Sequence, residues 1–242
     1  MHVFIADTYA SLSKLAAEDV LQGMSLKKQS LLCAASGDTP AGLYSEIVDH
    51  VRGNGFDISG WQFVGLDEWV GMNETDEGSC RFNLDKELFQ PLSIPGDRIG
   101  FFNGRAENLS GECEKIENFI LEKGGIDVAI LGLGLNGHIG MNEPGTSIAS
   151  GSHVTRLDPL TQQTGQKYFK NKQILTEGIT LGLSTLMQAR QILLLVNGAH
   201  KAGIVKQVME GPISDKVPAS LLRNHAGFTI YLDKESARDT QF

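Results

Sequence analysis

The chain has 242 residues and a formal net charge of −8, with 41% hydrophobic and 21% charged residues. This balance excludes a disordered chain and fits a single domain spanning 1–242, long enough to bury a sizeable core. The acidic charge and the lack of any basic run longer than Lys27-Lys28 exclude nucleic acid as an expected partner. Three widely spaced cysteines, Cys33, Cys80 and Cys113, exclude a disulfide framework or a thiolate zinc site.

No signal peptide is expected, because Met1-His2-Val3-Phe4-Ile5 lacks a basic start and a long apolar run. No stretch reaches the roughly 20 apolar residues that a membrane helix needs, so neither a membrane partner nor a location outside the cytoplasm is expected.

The elements alternate along the chain. Val3 to Ile5 reads as a strand. Residues 8–23 place Leu12, Leu15, Ala16, Val20 and Leu21 at helical spacing and stop near Gly23. Ser30 to Ala34 is strand-like. Thr39, as an N-cap, and Pro40, at the first helical position, open a helix to about Val51. Trp61 to Leu66 is a strand, and 82–89 and 107–123 are helices. The apolar runs Ile126 to Leu131, Ile192 to Val196 and Phe228 to Leu232 read as strands buried on both faces, with a helix over 199–209 between the last two. The alternation predicts an α/β fold: an open, mostly parallel, twisted sheet with helices on both faces, Rossmann-like in layout. Residues 147–178 are the least regular stretch and read as a lid-like excursion.

Parallel sheets bind ligands at the carboxyl ends of their strands. Four loops there carry unusual polar residues. Ala35-Ser36-Gly37-Asp38-Thr39-Pro40 is a small strand-to-helix turn, whose amides and hydroxyls suit a phosphate or simply cap the turn. It lacks the Gly-Lys-Ser/Thr of a nucleotide-binding loop. In Gly65-Leu66-Asp67-Glu68-Trp69 the two acids point opposite ways on an extended backbone. One of them faces a cleft, and Asp67, at the strand end, suits a general base. The stretch Gly132 to Gly145 imitates a dinucleotide fingerprint, but Gly140, Pro144 and Gly145 interrupt the helix that fingerprint requires. It offers instead His138 and Glu143, five residues apart, as a proton shuttle near neutral pH. In Asn197-Gly198-Ala199-His200-Lys201, a lysine in the first turn of a helix opposes the helix dipole unless an anion sits nearby.

In their order and spacing, these four loops resemble the glucosamine-6-phosphate deaminase family. The resemblance rests on Ser36 to Pro40, Asp67 to Gly71, Gly137-His138-Ile139-Gly140-Met141-Asn142-Glu143-Pro144 and Gly198 to Ala202, and it extends over about residues 30–232. It implies conversion of an amino-sugar 6-phosphate and water to a ketose 6-phosphate and ammonia, without a metal or an organic cofactor. It also implies roles: His138 opens the sugar ring with Glu143 and Asn136 in support, and Asp67 moves a proton between C2 and C1. Ser36, Gly37, Asp38, Thr39, Gly137, Lys167 and Lys201 would hold the substrate and its phosphate.

Two positions depart from the family pattern. Asn136 stands where an Asp is usual, and an amide orients a loop without stabilising an imidazolium by charge. Lys167 stands where an Arg is usual, and keeps the charge while losing the bidentate fork. The partner implied is a small-molecule sugar phosphate, with the protein a monomer or a homo-oligomer. The stretch Gly151-Ser152-His153-Val154-Thr155 lacks the extra basic residues of allosteric members, so activation by an N-acetylated sugar phosphate is not expected. Three alternatives stay open: a galactosamine-6-phosphate deaminase, a 6-phosphogluconolactonase on the same fold, and a non-catalytic sugar-phosphate sensor. Asp67-Glu68-Trp69 and Asn142-Glu143-Pro144 favour the deaminase over the lactonase.

Overall fold

The computed structural model describes residues 1–241. The chain runs β1 (His2–Ala6), α1 (Tyr9–Met24), β2 (Ser30–Ala34), α2 (Asp38–Asn54), β3 (Trp61–Gly65), β4 (Asp67–Trp69), α3 (Cys80–Leu84), β5 (Ile99–Gly100), α4 (Leu109–Glu122) and β6 (Val128–Gly132). It continues through β7 (His153–Arg156), α5 (Pro159–Gly165), β8 (Glu177–Thr180), α6 (Leu183–Leu186), β9 (Gln191–Val196), α7 (Ala202–Glu210), β10 (Phe228–Asp233) and α8 (Lys234–Ala237). Among the described residues no helix is long and apolar enough to cross a membrane.

Seven strands form one parallel sheet in the order β1-β10-β9-β6-β2-β3-β5. Successive side chains on a strand point to opposite faces, and the core divides accordingly. Leu31, Cys33, Ala129, Leu131, Ile192 and Leu194 pack with α4 and α7 through Ile116, Ile120, Val205 and Val208. Leu32, Ala34, Val128, Ile130, Leu193 and Leu195 pack with α1 and α2 through Leu12, Ala16, Val20, Leu43, Tyr44 and Ile47. Burial on both faces is why these strands read as unbroken apolar runs.

The chain leaves β2 toward β3 on one side and leaves β6 toward β9 on the other. The order therefore reverses between β2 and β6, and a crevice opens at their carboxyl ends, where such sheets bind ligands.

Local chemistry explains where the helices differ from expectation. α2 begins at Asp38, because Gly37 at φ 114° turns the chain into it. The Thr39 hydroxyl caps nothing; it donates to Asn197 Oδ1 at 2.9 Å and ties two loops together. α4 starts two residues later than 107, at Leu109, because the Asn108 carboxamide accepts the Gly111 amide. Ser79 starts α3 early by accepting the Phe82 amide, and Asp85–Phe89 continues as a π-helical turn. The helix expected over 199–209 opens as a 3₁₀ turn at Ala199–Lys201 before α7.

The excursion over 147–178 is more regular than its sequence suggests. β7 and β8 pair antiparallel with each other, and β8 pairs with β4, giving a three-stranded sheet β4-β8-β7. β3 ends at Gly65, so Asp67 opens β4 of this small sheet instead of closing a strand of the large one. The three-residue β4 carries too few side chains to show alternation, and its partner β8 lies more than a hundred positions away.

Candidate active site

A cleft of about 700 Å³ opens at the carboxyl ends of β2, β3, β6 and β9. Ser36, Gly37, Asp38, Thr39, Asp67, His138, Lys167 and Lys201 all line it. Asn136, Gly137 and Glu143 are not on its wall, and Asn136 and Glu143 touch His138 from behind it.

At one side, Asp67 and Glu68 point apart as an extended backbone requires. Asp67 faces the cleft. Burial pushes its carboxyl up to about 6, against the Cys80 thiol's hydrogen bond and the neighbouring His138, which both favour the carboxylate. Glu68 is fully buried and accepts the amides of Trp69 and Cys80 on Oε1, each at 2.9 Å, and of Arg81 on Oε2 at 3.0 Å. It satisfies the first amides of α3 and pins that helix to β4, which sets Cys80 beside Asp67. Burial pushes the Glu68 carboxyl up to about 7, although three amides favour its charge.

On the β6 side, His138 stands on an irregular loop. Its Nδ1 lies 3.5 Å from Glu143 Oε2 and 3.1 Å from Thr161 Oγ1. Both contacts fall on Nδ1, so Nε2 is the nitrogen left for a substrate. The Asn136 carboxamide braces this pair. Its Nδ2 donates to Glu143 Oε2 at 2.8 Å, and its Oδ1 accepts the His138 amide at 3.1 Å. Burial pushes the Glu143 carboxyl up, but hydrogen bonds from His138, Thr161 and Asn136 and the histidine's charge outweigh it and hold the pKa below the usual value. The glycines here are steric necessities. A Cβ on Gly134 would sit 2.4 Å from the imidazole, and Gly137 turns at φ 85° under Val217.

Also in the lining, the first turn of α2 leaves backbone amides without intrahelical partners. Beside it, Lys201 donates to the Leu133 carbonyl, and burial, with help from the charge of Lys167, pushes its ammonium down to about 8. Lys167 reaches in from the 3₁₀ turn after α5 and pairs with Asp38 Oδ2 at 2.6 Å. Tyr168, from the same turn, covers Gly37, where an added Cβ would lie 2.9 Å from its hydroxyl. The cleft thus holds a carboxylate, an imidazole and two ammonium groups.

Cys80, Thr161 and Tyr168, to which the sequence assigned no role, also line the cleft, as do Asn197 and His200 of the fourth loop. Thr161 had a local signal, because Asp158-Pro159 is a helix start: the Asp158 carboxylate accepts the Leu160 amide, and α5 carries Thr161 inward.

A family model described as glucosamine-6-phosphate isomerases/6-phosphogluconolactonase matches residues 6–231. A glucosamine-6-phosphate deaminase of Oceanobacillus iheyensis is 36% identical over 243 residues, covering 100% of this chain and 97% of that one. One from Clostridium botulinum is 35% identical, covering 98% of each chain. A solved monomeric glucosamine-6-phosphate deaminase of the NagB superfamily superposes with a TM-score of 0.95 at 34% identity, covering 99% of this chain and 100% of that one. The 6-phosphogluconolactonase of Trypanosoma brucei shares the fold at a TM-score of 0.75 and 20% identity, over 99% of this chain and 98% of its own. With its cleft at the strand-order reversal and its full-length match to these enzymes, the chain belongs to the glucosamine-6-phosphate isomerase/6-phosphogluconolactonase family.

Proposed function

We propose that this protein is a glucosamine-6-phosphate deaminase, which converts glucosamine 6-phosphate and water to fructose 6-phosphate and ammonia in the cytoplasmic breakdown of amino sugars. The observation that carries the reading is the pairing, in one cleft, of a buried carboxylate and a braced imidazole with a cradle of two lysines.

The phosphate sits at the α2 terminus between Lys201 and Lys167, which stretches the sugar toward Asp67 and His138. His138 Nε2 takes the proton from the anomeric hydroxyl and returns it to the ring oxygen, opening the pyranose to the aldehyde. Glu143 stabilises the imidazolium formed in between, while Asn136 keeps the carboxylate in place. Asp67 then removes the C2 proton and delivers it to C1. A second proton passes from the C2 amine to the C1 oxygen, so the C1 carbonyl becomes a hydroxymethyl group and C2 becomes an imine. Water adds to C2 and ammonia leaves, which gives the ketone. A carboxylate suits this relay: it is ionised at neutral pH yet basic enough to accept a carbon-bound proton once desolvated. The Glu68 carboxylate is spent on three amides and takes no part in these steps.

The test is ammonia release from glucosamine, galactosamine and mannosamine 6-phosphates, run beside hydrolysis of 6-phosphogluconolactone. Turnover of glucosamine 6-phosphate with the highest kcat/KM is expected. Lactone hydrolysis without ammonia release would overturn the reading, and faster release from the galactosamine ester would reassign the substrate.

A further inference from the structure

We infer that Asp38 is a built-in competitor of the substrate's phosphate, which holds Lys167 in the empty site and surrenders it when a phosphate binds. The inference rests on the proposed sugar-phosphate reading of this cleft.

Three features place Asp38 in that position. Its carboxylate lies on the first residue of α2, at the positive helix end that would face a phosphate. Its Oδ2 is 2.6 Å from Lys167 Nζ, a contact between residues 129 positions apart in sequence. And the turn that delivers Lys167 lies across the mouth of the loop, with the ammonium over the Tyr168 ring and the Tyr168 hydroxyl over Gly37. The carboxylate thus engages both positive features that a phosphate would need, the helix end and the lysine. Lys201 donates instead to a carbonyl.

The charge count gives the consequence. Two ammonium groups and one carboxylate leave the cradle with a single net positive charge, against the roughly two negative charges of a phosphate ester at neutral pH. An arriving phosphate therefore takes Lys167 from Asp38. Both side chains of the pair are more than half exposed, so the released carboxylate is rehydrated at little cost and the exchange is readily reversed. Substrate and product carry the same phosphate, so the exchange weakens both equally. When the ketose phosphate leaves, Lys167 returns to Asp38.

The experiment is Asp38→Asn, which keeps the shape and removes the charge at an exposed position. Inorganic phosphate is titrated calorimetrically into wild type and variant, and kcat and KM are measured on glucosamine 6-phosphate. The dissociation constant for inorganic phosphate, KM, and the inhibition constant of fructose 6-phosphate are each expected to fall about one-and-a-half- to fivefold, the range for losing an exposed charge contact. Adding Lys167→Met to Asp38→Asn should cancel most of that gain. Phosphate binding that is unchanged or weaker in Asp38→Asn overturns the inference, whatever the turnover. Tighter phosphate binding with no ammonia release from any amino-sugar phosphate would leave Asp38 as the competitor and overturn only the proposed activity.

Discussion

Replacing Asp67 with Asn removes the group proposed to move the proton between C2 and C1 while leaving the cleft's shape intact. A positioned general base contributes about 10²- to 10⁴-fold to rate, so kcat should fall by that factor while KM stays within a few-fold. The wild-type pH profile offers a finer check. Burial sets the Asp67 carboxyl at about 6, and its free reference value is 3.8. A base with a raised pKa is active above that value and lost as pH falls through it. At pH 5 a group of pKa 6 is ionised to only about one part in ten, so kcat/KM should drop roughly tenfold from its neutral plateau, whereas an unshifted carboxylate would lose almost nothing. The Cys80 thiol's hydrogen bond holds this pKa down, so Cys80→Ala should move the acid limb upward and Cys80→Ser should leave it or lower it. The assay is initial-rate ammonia release from pH 4.5 to 9, paired with exchange of the C2 hydrogen in D₂O. A profile flat to pH 5 would refute the buried-base argument. So would an Asp67→Asn variant that keeps the acid limb and exchanges C2 at the wild-type rate.

Other outcomes can be checked with the same assay. Lys201 is pushed down to about 8 by burial and by Lys167, so it is charged below that pH and loses its proton above it. On the alkaline side, kcat/KM should therefore fall above about pH 8, and Lys201→Arg should remove that limb because guanidinium stays protonated. Thr161→Val deletes the hydroxyl 3.1 Å from His138 Nδ1; a lost hydrogen bond of about 1 kcal/mol predicts a roughly fivefold lower kcat, with a substrate analogue locked in the open-chain form less impaired than the cyclic sugar. Gly37→Ala places a Cβ at φ 114° and 2.9 Å from the Tyr168 hydroxyl. That conformation costs a non-glycine residue about 1–3 kcal/mol, so a thermal melt should shift down by roughly 2–10 °C and KM should rise.

Much of the large sheet was legible in the sequence, for a physical reason. Strands buried on both faces must be apolar throughout, and the helices that cover them must be amphipathic, so Ser30 to Ala34, Ile192 to Val196 and residues 8–23 each announce themselves locally. Positions of the chemistry-bearing loops followed from the rule that ligands bind at strand carboxyl ends, and Asp67, His138 and Lys201 do share one cleft. What stayed hidden depends on distant partners. Thr39 has the look of an N-cap but spends its hydroxyl on Asn197. Asp38 belongs to a phosphate-type loop, yet its side chain meets Lys167 from the far side of the fold. Cys80 is a lone thiol in the sequence and becomes a neighbour of Asp67 only because Glu68 binds the start of α3.

The small sheet β4-β8-β7 gives the excursion over 147–178 a different physical meaning from that of a simple cover. Asp67 pairs with Thr180, and His153 pairs with Thr180 from the other side. The Thr180 hydroxyl also accepts the Met141 amide at 3.2 Å, within the loop that carries His138. Gly140 allows that approach, since a Cβ there would sit 2.8 Å from the same hydroxyl. Asn142 fastens the loop again by donating to the carbonyls of Ile139 at 2.8 Å and Leu181 at 2.9 Å. One buried strand end thus holds both Asp67 and the imidazole loop. Irregular backbone buried without such partners would leave amides and carbonyls unpaired, at about 1–3 kcal/mol each. The fully buried Thr180 and Asn142 supply those partners. The separation of Asp67 from His138 is therefore set by hydrogen bonds to β8 and the residue after it, while the large parallel sheet only brings the two loops to the same end of the molecule.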